Sequence, residues 1–200
     1  MTLASTLFGY IIGLPMGIVL TVTDKDGIRP NAAVYKVLDV ISNLLRSIPF
    51  IILLIVLIPF TRFVVGRSYG STATIVPLTI AAAPYIARMV ESSLKEVDAG
   101  VIEAARSMGA SDFQIVTKVM LVEARTSLIV GATISLGTIL GYSAMVGTVG
   151  GGGLGDIAIR YGYTRWQTDI MVVTVVLLVI LFQIFQTIGM KIANRLDRRK

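Results

Sequence analysis

The sequence predicts an all-α membrane protein with five transmembrane helices, and three observations lead there. Apolar residues make up 54% of the 200 positions and charged residues only 15%, with a mean hydropathy of +0.81, far from the composition of a water-soluble domain. Five long runs are free, or nearly free, of charge. The basic residues are spread unevenly over the connections between those runs. The same composition excludes whole classes of chemistry. With no cysteine and no histidine, the chain has no disulfide, no thiol nucleophile, no imidazole base and none of the usual nitrogen or sulfur metal ligands.

A helix crossing roughly 30 Å of hydrocarbon needs about 20 apolar residues. The first run, 2–23, carries no charge. It lacks a positive leading segment and is about twice as long as a signal-peptide core, so it reads as a retained span. The second span is expected over 37–60, with Asp39 and Arg46 embedded on one face, seven residues apart. The third is expected over 68–87 and the fifth over 170–190. The fourth, 126–149, is cut from a charge-free run longer than one crossing needs. A hydrophilic loop, 88–125, separates spans three and four, and the whole chain 1–200 reads as one membrane domain.

Five spans place the termini on opposite sides. With the C-terminus inside, Lys25, Arg29, Lys36, Arg88, Lys95, Arg106, Lys118, Arg125, Lys191, Arg195, Arg198, Arg199 and Lys200 are cytoplasmic. Only Arg62, Arg67, Arg160 and Arg165 fall outside. The excess of inner Lys and Arg orients the chain N-out and C-in.

Within the hydrophilic loop, Val101, Ala104, Ala105 and Met108 follow the i, i+3, i+4, i+7 spacing of a helical face. Asp98 is placed to cap this helix and Gly109 to stop it. Ser111 and Gln114 then form a capping-box pair for a second helix, whose apolar side is Phe113, Val116 and Met120 or Ile115 and Val119. Two readings of the first helix are open: it packs beneath its own spans, or it inserts into a groove on a soluble partner, where small alanines allow close approach.

The spacing within this loop resembles that of bacterial ABC importer permeases, whose signature is Glu-Ala-Ala, three residues, Gly, nine residues, then Ile-x-Leu-Pro. This chain has Glu103, Ala104 and Ala105, then Gly109, then Val119, Met120, Leu121 and Val122 at matching positions. Val122 stands where the family has proline, so the second loop helix is expected to run directly toward span four. Three further stretches are similar to the methionine-importer branch of that family: Arg46 to Phe50 with its Ser-Ile-Pro centre, Ala83 to Glu91, and Gly141 to Met145 ahead of a glycine cluster. Permeases of that branch have further residues ahead of the first span, whereas this chain enters it at Thr2.

The resemblance implies the type I importer fold. It also implies a second copy of the chain, two cytoplasmic ABC ATPase subunits and an extracytoplasmic substrate-binding lipoprotein, assembled in the lipid of a bacterial inner membrane. ATP would serve the partner, with no cofactor bound by this chain and no nucleic-acid partner. By carry-over Glu103, Ala104, Ala105 and Gly109 dock the ATPase; Val101, Arg106, Met108 and Ala110 join them by helix geometry. Five helices are few to surround a solute, which favours a route along the axis of a dimer. Candidate pathway residues are Arg46, Ser47, Pro49, Tyr142, Ser143 and Met145, the last as an adaptable apolar gate.

The cluster Gly150 to Gly155 contains Gly-x-Gly-x-x-Gly, but it follows a span rather than a strand, so a nucleotide site is not expected. It reads as a flexible turn outside span four. Two other transport classes would leave different marks on the sequence. An ion-coupled transporter would show internal repeats and buried carboxylates, and a channel would work without ATP.

Overall fold

The computed structural model describes residues 1–197, and among them there is no strand. The α-helical segments in chain order are α1 (Thr2–Thr23), α2 (Ala32–Ser47), α3 (Phe50–Val56), α4 (Ile58–Val65), α5 (Ile75–Lys95), α6 (Ala99–Ser107), α7 (Asp112–Gln114), α8 (Leu121–Glu123), α9 (Arg125–Met145), α10 (Gly153–Ile157) and α11 (Thr168–Leu196). Two π-helical stretches, Ile115–Met120 and Ala158–Tyr163, and a 3₁₀ stretch, Val146–Val149, link some of them.

The centre of the fold is α5. Its residues Ala82, Ile86, Val90 and Leu94 recur every four positions and are all buried, forming a ridge against Ala105, Ile115, Met120 and Ala124 of the loop and Ile139 of α9. Its N-terminal half meets α3 and the 3₁₀ stretch through Leu78, Ala81, Phe50, Leu53, Leu54 and Val146. α1 lies along α5 at very short range. A Cβ added to Gly13 would stand 2.6 Å from the Ala83 carbonyl oxygen, and one added to Gly17 would stand 2.5 Å from that of Ala87. Apolar helices gain nothing from burial when lipid is the alternative, so this Gly9, Gly13, Gly17 stripe replaces hydrophobic drive with close backbone packing.

Among the described residues, three helical units are long and apolar enough to cross a membrane, namely α1, the stretch Arg125–Val149, and α11; a fourth is counted if α2 and α3 together make one broken span. The expected count of five spans is therefore not reached by length and composition, and the second and third differ from plain spans. Over 37–60 the chain is not one helix, because α2 and α3 are bent by 102°. Ile48 is extended (φ −80, ψ 123) ahead of Pro49, as the proline ring requires of the residue before it. Pro59 then sits in the first turn of α4, where its missing N–H costs no hydrogen bond.

The third helix begins at Ile75 rather than at residue 68, and it continues to Lys95 rather than stopping at residue 87. Arg88, Glu91 and Lys95 are carried on its last turns, so the loop starts at residue 96 rather than 88. Arg88 and Glu91 are largely enclosed by protein there, while Lys95 stays partly exposed. The glycine cluster is likewise not a loose turn. A Cβ on Gly147 would stand 2.3 Å from the backbone of Gly155, and one on Gly155 would stand 2.1 Å from the Ala144 carbonyl oxygen, so the segment folds back in tight contact with the end of α9.

Candidate functional site

The loop 96–124 is built as a helix, a turn and a second helix. Asp98 caps α6 by accepting a hydrogen bond from the Gly100 N–H at 2.7 Å. At the other end Gly109 takes φ +82, the Gly109 N–H donates to the Arg106 carbonyl at 3.0 Å, and the Ala110 N–H donates to that of Ala105 at 3.1 Å. This is a Schellman stop, and its left-handed residue favours glycine. Ser111 and Gln114 make the reciprocal capping box. The chain then runs through the π stretch to α8 and, after one irregular residue at Ala124, into α9. Ladder bonds continue across that point, from the Ala124 N–H to Met120 and from the Leu128 N–H to Ala124. No break occurs at Val122, in line with the absence of proline there.

Periodicity treats Val101, Ala104, Ala105 and Met108 as one face, and the structure divides it. Ala105 is only 4% exposed and packs into the core cluster, with Ile102 and Ala110 against the same cluster. Val101, Glu103, Ala104, Arg106, Met108 and Gly109 are exposed. Met108 at 82% and Phe113 at 76% are the most exposed large apolar side chains of the loop. The packing reading therefore holds for part of the helix, and the remaining residues face outward. Ile102, Ala105 and Ala110 hold the loop beneath its own helices, and Val101, Ala104, Met108 and Phe113 are left free. Ala105, expected among the docking residues, is a packing residue within this chain, because its side chain is enclosed by the core cluster.

The pathway candidates are only partly brought together. A cavity of about 220 Å³ at the α2/α3 bend is lined by Leu45, Arg46, Ile48, Phe50, Leu53, Ala81, Tyr85 and Tyr142. The rings of Phe50 and Tyr142 stack at 4.6 Å, nearly parallel. Arg46 and Tyr142 thus meet, with Pro49 creating the bend beside them. The other candidates lie apart from this cavity. Ser47 donates back to the Asn43 carbonyl at 2.7 Å. Ser143 is buried, accepts from the Thr2 hydroxyl at 3.1 Å and donates to the Leu140 carbonyl. Met145 is half exposed outside this cavity. Tyr85 was missed, although it sits in the Ala83 to Glu91 stretch that carried part of the resemblance.

The sequence also presents Asp39 and Arg46 as the embedded charges, and the structure gives Asp39 a partner on another helix. Arg88 reaches Asp39 on α2 and donates to Glu91 on its own helix at 2.7 Å. Glu91, 4% exposed, also accepts from Lys95 at 2.8 Å and from the Tyr35 hydroxyl at 3.3 Å. Lys95 reaches Asp24 beyond the end of α1 at 2.7 Å, and that hydrogen bond holds the Asp24 carboxyl below its ordinary range. Arg46 is exposed and lines the cavity instead.

An all-helical chain with a buried small-residue seam, a broken helix beside a polar-lined cavity and a capped helical loop has the build of a membrane transport subunit of the type I ABC permease fold. The family model described as "Binding-protein-dependent transport system inner membrane component" matches residues 10–200, and the chain belongs to that family. It is 49% identical over 191 residues to a Vibrio cholerae protein named "Probable D-methionine transport system permease protein MetI", covering 96% of this chain and 85% of that protein. It is 56% identical over 147 residues to the Escherichia coli "D-methionine transport system permease protein MetI", covering 74% of this chain and 68% of that one. Among solved structures it superposes with TM-score 0.97 and 52% identity on a chain of "Inward facing conformations of the MetNI methionine ABC transporter", covering 98% of this chain and 91% of that one. A 22% identical chain from "an amino acid ABC transporter with histidines" shares the fold at TM-score 0.75.

Proposed function

We propose that this chain is the permease subunit of an ATP-driven importer that carries methionine, as both D and L forms, into the bacterial cytoplasm. The observation that carries the reading is the 49% identity over 96% of the chain to a protein named as a D-methionine transport permease. Two copies enclose the route. Two cytoplasmic ABC ATPases seat on the exposed side of the loop, at Val101, Glu103, Ala104, Arg106, Met108 and Gly109, and a substrate-binding lipoprotein delivers the solute from outside. The ATPases hold and hydrolyse ATP; this chain contributes no catalytic group and no cofactor site. The cavity at Arg46, Phe50, Tyr85 and Tyr142 belongs to the route, with Met145 as its gate.

Reconstituted in liposomes with its ATPase and binding protein, the complex accumulates labelled methionine only when ATP is supplied on the ATPase side. Preference for a sugar or a metal complex would refute the substrate, and uptake without ATP would refute the class. The N-out, C-in orientation is tested independently, because the chain has no native cysteine. A single cysteine at Ser111 is protected from an impermeant thiol reagent in intact cells, and one at Thr164 is labelled. The reverse pattern would overturn the orientation and the placement of the docking loop with it.

A further inference from the structure

The docking loop is joined to the α2/α3 bend by a second connection besides the covalent one through α5, and it consists of charge contacts. It begins on α6, where the exposed Arg106 donates to the Ile28 carbonyl at 2.8 Å and so grips the segment between α1 and α2. In the same segment Asp24 is paired with Lys95 at 2.7 Å. From Lys95 the contacts continue up one stripe of α5, to Glu91 at 2.8 Å and on to Arg88 at 2.7 Å, at the i, i+4 and i, i+3 spacings that put side chains on one helix face. Arg88 then crosses to Asp39 of α2, while Tyr35 of α2 donates to Glu91.

α2 depends on these bonds more than its length suggests. Ser42 is its one fully buried residue, so little apolar packing fixes it to the rest of the protein. Its C-terminal end is the 102° bend beside the cavity that holds Arg46 and Tyr142. A rotation of α2 about that bend would change the cavity wall, and the polar contacts with α5 resist such a rotation. Salt bridges at low exposure are directional and strong against removal of one partner, which suits them to move an element as a unit.

We infer that Asp24, Lys95, Glu91, Arg88 and Asp39 form a positioning strip that carries displacement of the docking helix, through the α1/α2 connection, to the α2/α3 bend. The inference rests on the docking role proposed for the loop. It differs from that role in predicting that residues remote from the ATPase set the coupling between hydrolysis and transport.

The test uses the complete complex in liposomes and reads labelled methionine accumulated per ATP hydrolysed. Asp24→Asn and Asp39→Asn leave the docking loop intact, so the ATPase still copurifies and still hydrolyses ATP. Uptake per ATP falls by about threefold to tenfold in each, within the range expected of residues that modulate coupling from a distance. Asp24→Glu restores the ratio. Tyr35→Phe, which removes one hydroxyl and no charge, lowers it less and serves if an asparagine variant does not assemble. A merely structural role would lower thermal stability and leave the ratio of assembled complexes unchanged, and that result overturns the strip. A wild-type complex without ATP-driven uptake would instead overturn the proposed function, so the two failures are distinguishable.

Discussion

Gly109→Val is expected to weaken capture of the ATPase by at least about tenfold while the permease still inserts in the membrane. Nothing lies within 4 Å of a Cβ built on Gly109, so crowding contributes nothing and the effect is one of backbone conformation. At φ +82 a β-branched residue is strained by about 1–3 kcal/mol, and relaxing that strain breaks the two carbonyl contacts that end α6. Ala110 then leaves the core cluster, and the exposed residues lose their fixed orientation. Gly109→Asn, which tolerates the left-handed region, should recover most of the binding. Met108→Asp provides the complementary case: its side chain is 82% exposed, so the fold is untouched while an apolar contact becomes a buried charge in the complex. Size-exclusion chromatography of the copurified complex reads both. Normal capture in Gly109→Val and Met108→Asp together would remove the loop from the interface.

Arg88→Met should lower the thermal unfolding midpoint of the detergent-solubilised protein more than a change at any exposed arginine. The guanidinium lies between Asp39 and Glu91, and its removal leaves two carboxylates facing one another with less compensation. Breaking such a pair from one side costs roughly 3 kcal/mol, moderated here because Glu91 keeps Lys95 and Tyr35 and Asp39 keeps the Asn43 amide. Removing the carboxylate as well, in Arg88→Met with Glu91→Leu, should restore part of the loss, since an apolar replacement needs no partner. Unchanged midpoints in the single variant would show that these contacts contribute nothing to the fold.

What the sequence by itself determined is local. The Asp98 cap, the Gly109 stop and the Ser111 with Gln114 capping box depend on residues within one or two helical turns of each other, and the composition and the first, fourth and last apolar runs on contiguous stretches of chain, so all can be read along the sequence. The Glu103 to Val122 spacing is likewise a pattern along the chain, independent of which elements pack together, which is why family membership was legible there.

The tertiary structure decided what no spacing encodes. Ala105 and Ala104 are adjacent and chemically alike; only the packing of α6 on the π stretch Ile115–Met120, within the core cluster that Val90 and Leu94 of α5 also enter, buries one and frees the other. Arg88 reads as the inner boundary of a span because a charge is costly in hydrocarbon, and that cost disappears once Asp39, 49 residues away, and Glu91 surround it. The helix therefore continues past it to Lys95. Pro49 announces a break but not its 102° angle, which is set by the docking of Phe50, Leu53 and Leu54 on Leu78 and Ala81. In each case the deciding energy lies between residues distant in sequence, where packing and charge pairing outweigh the preferences of any single turn.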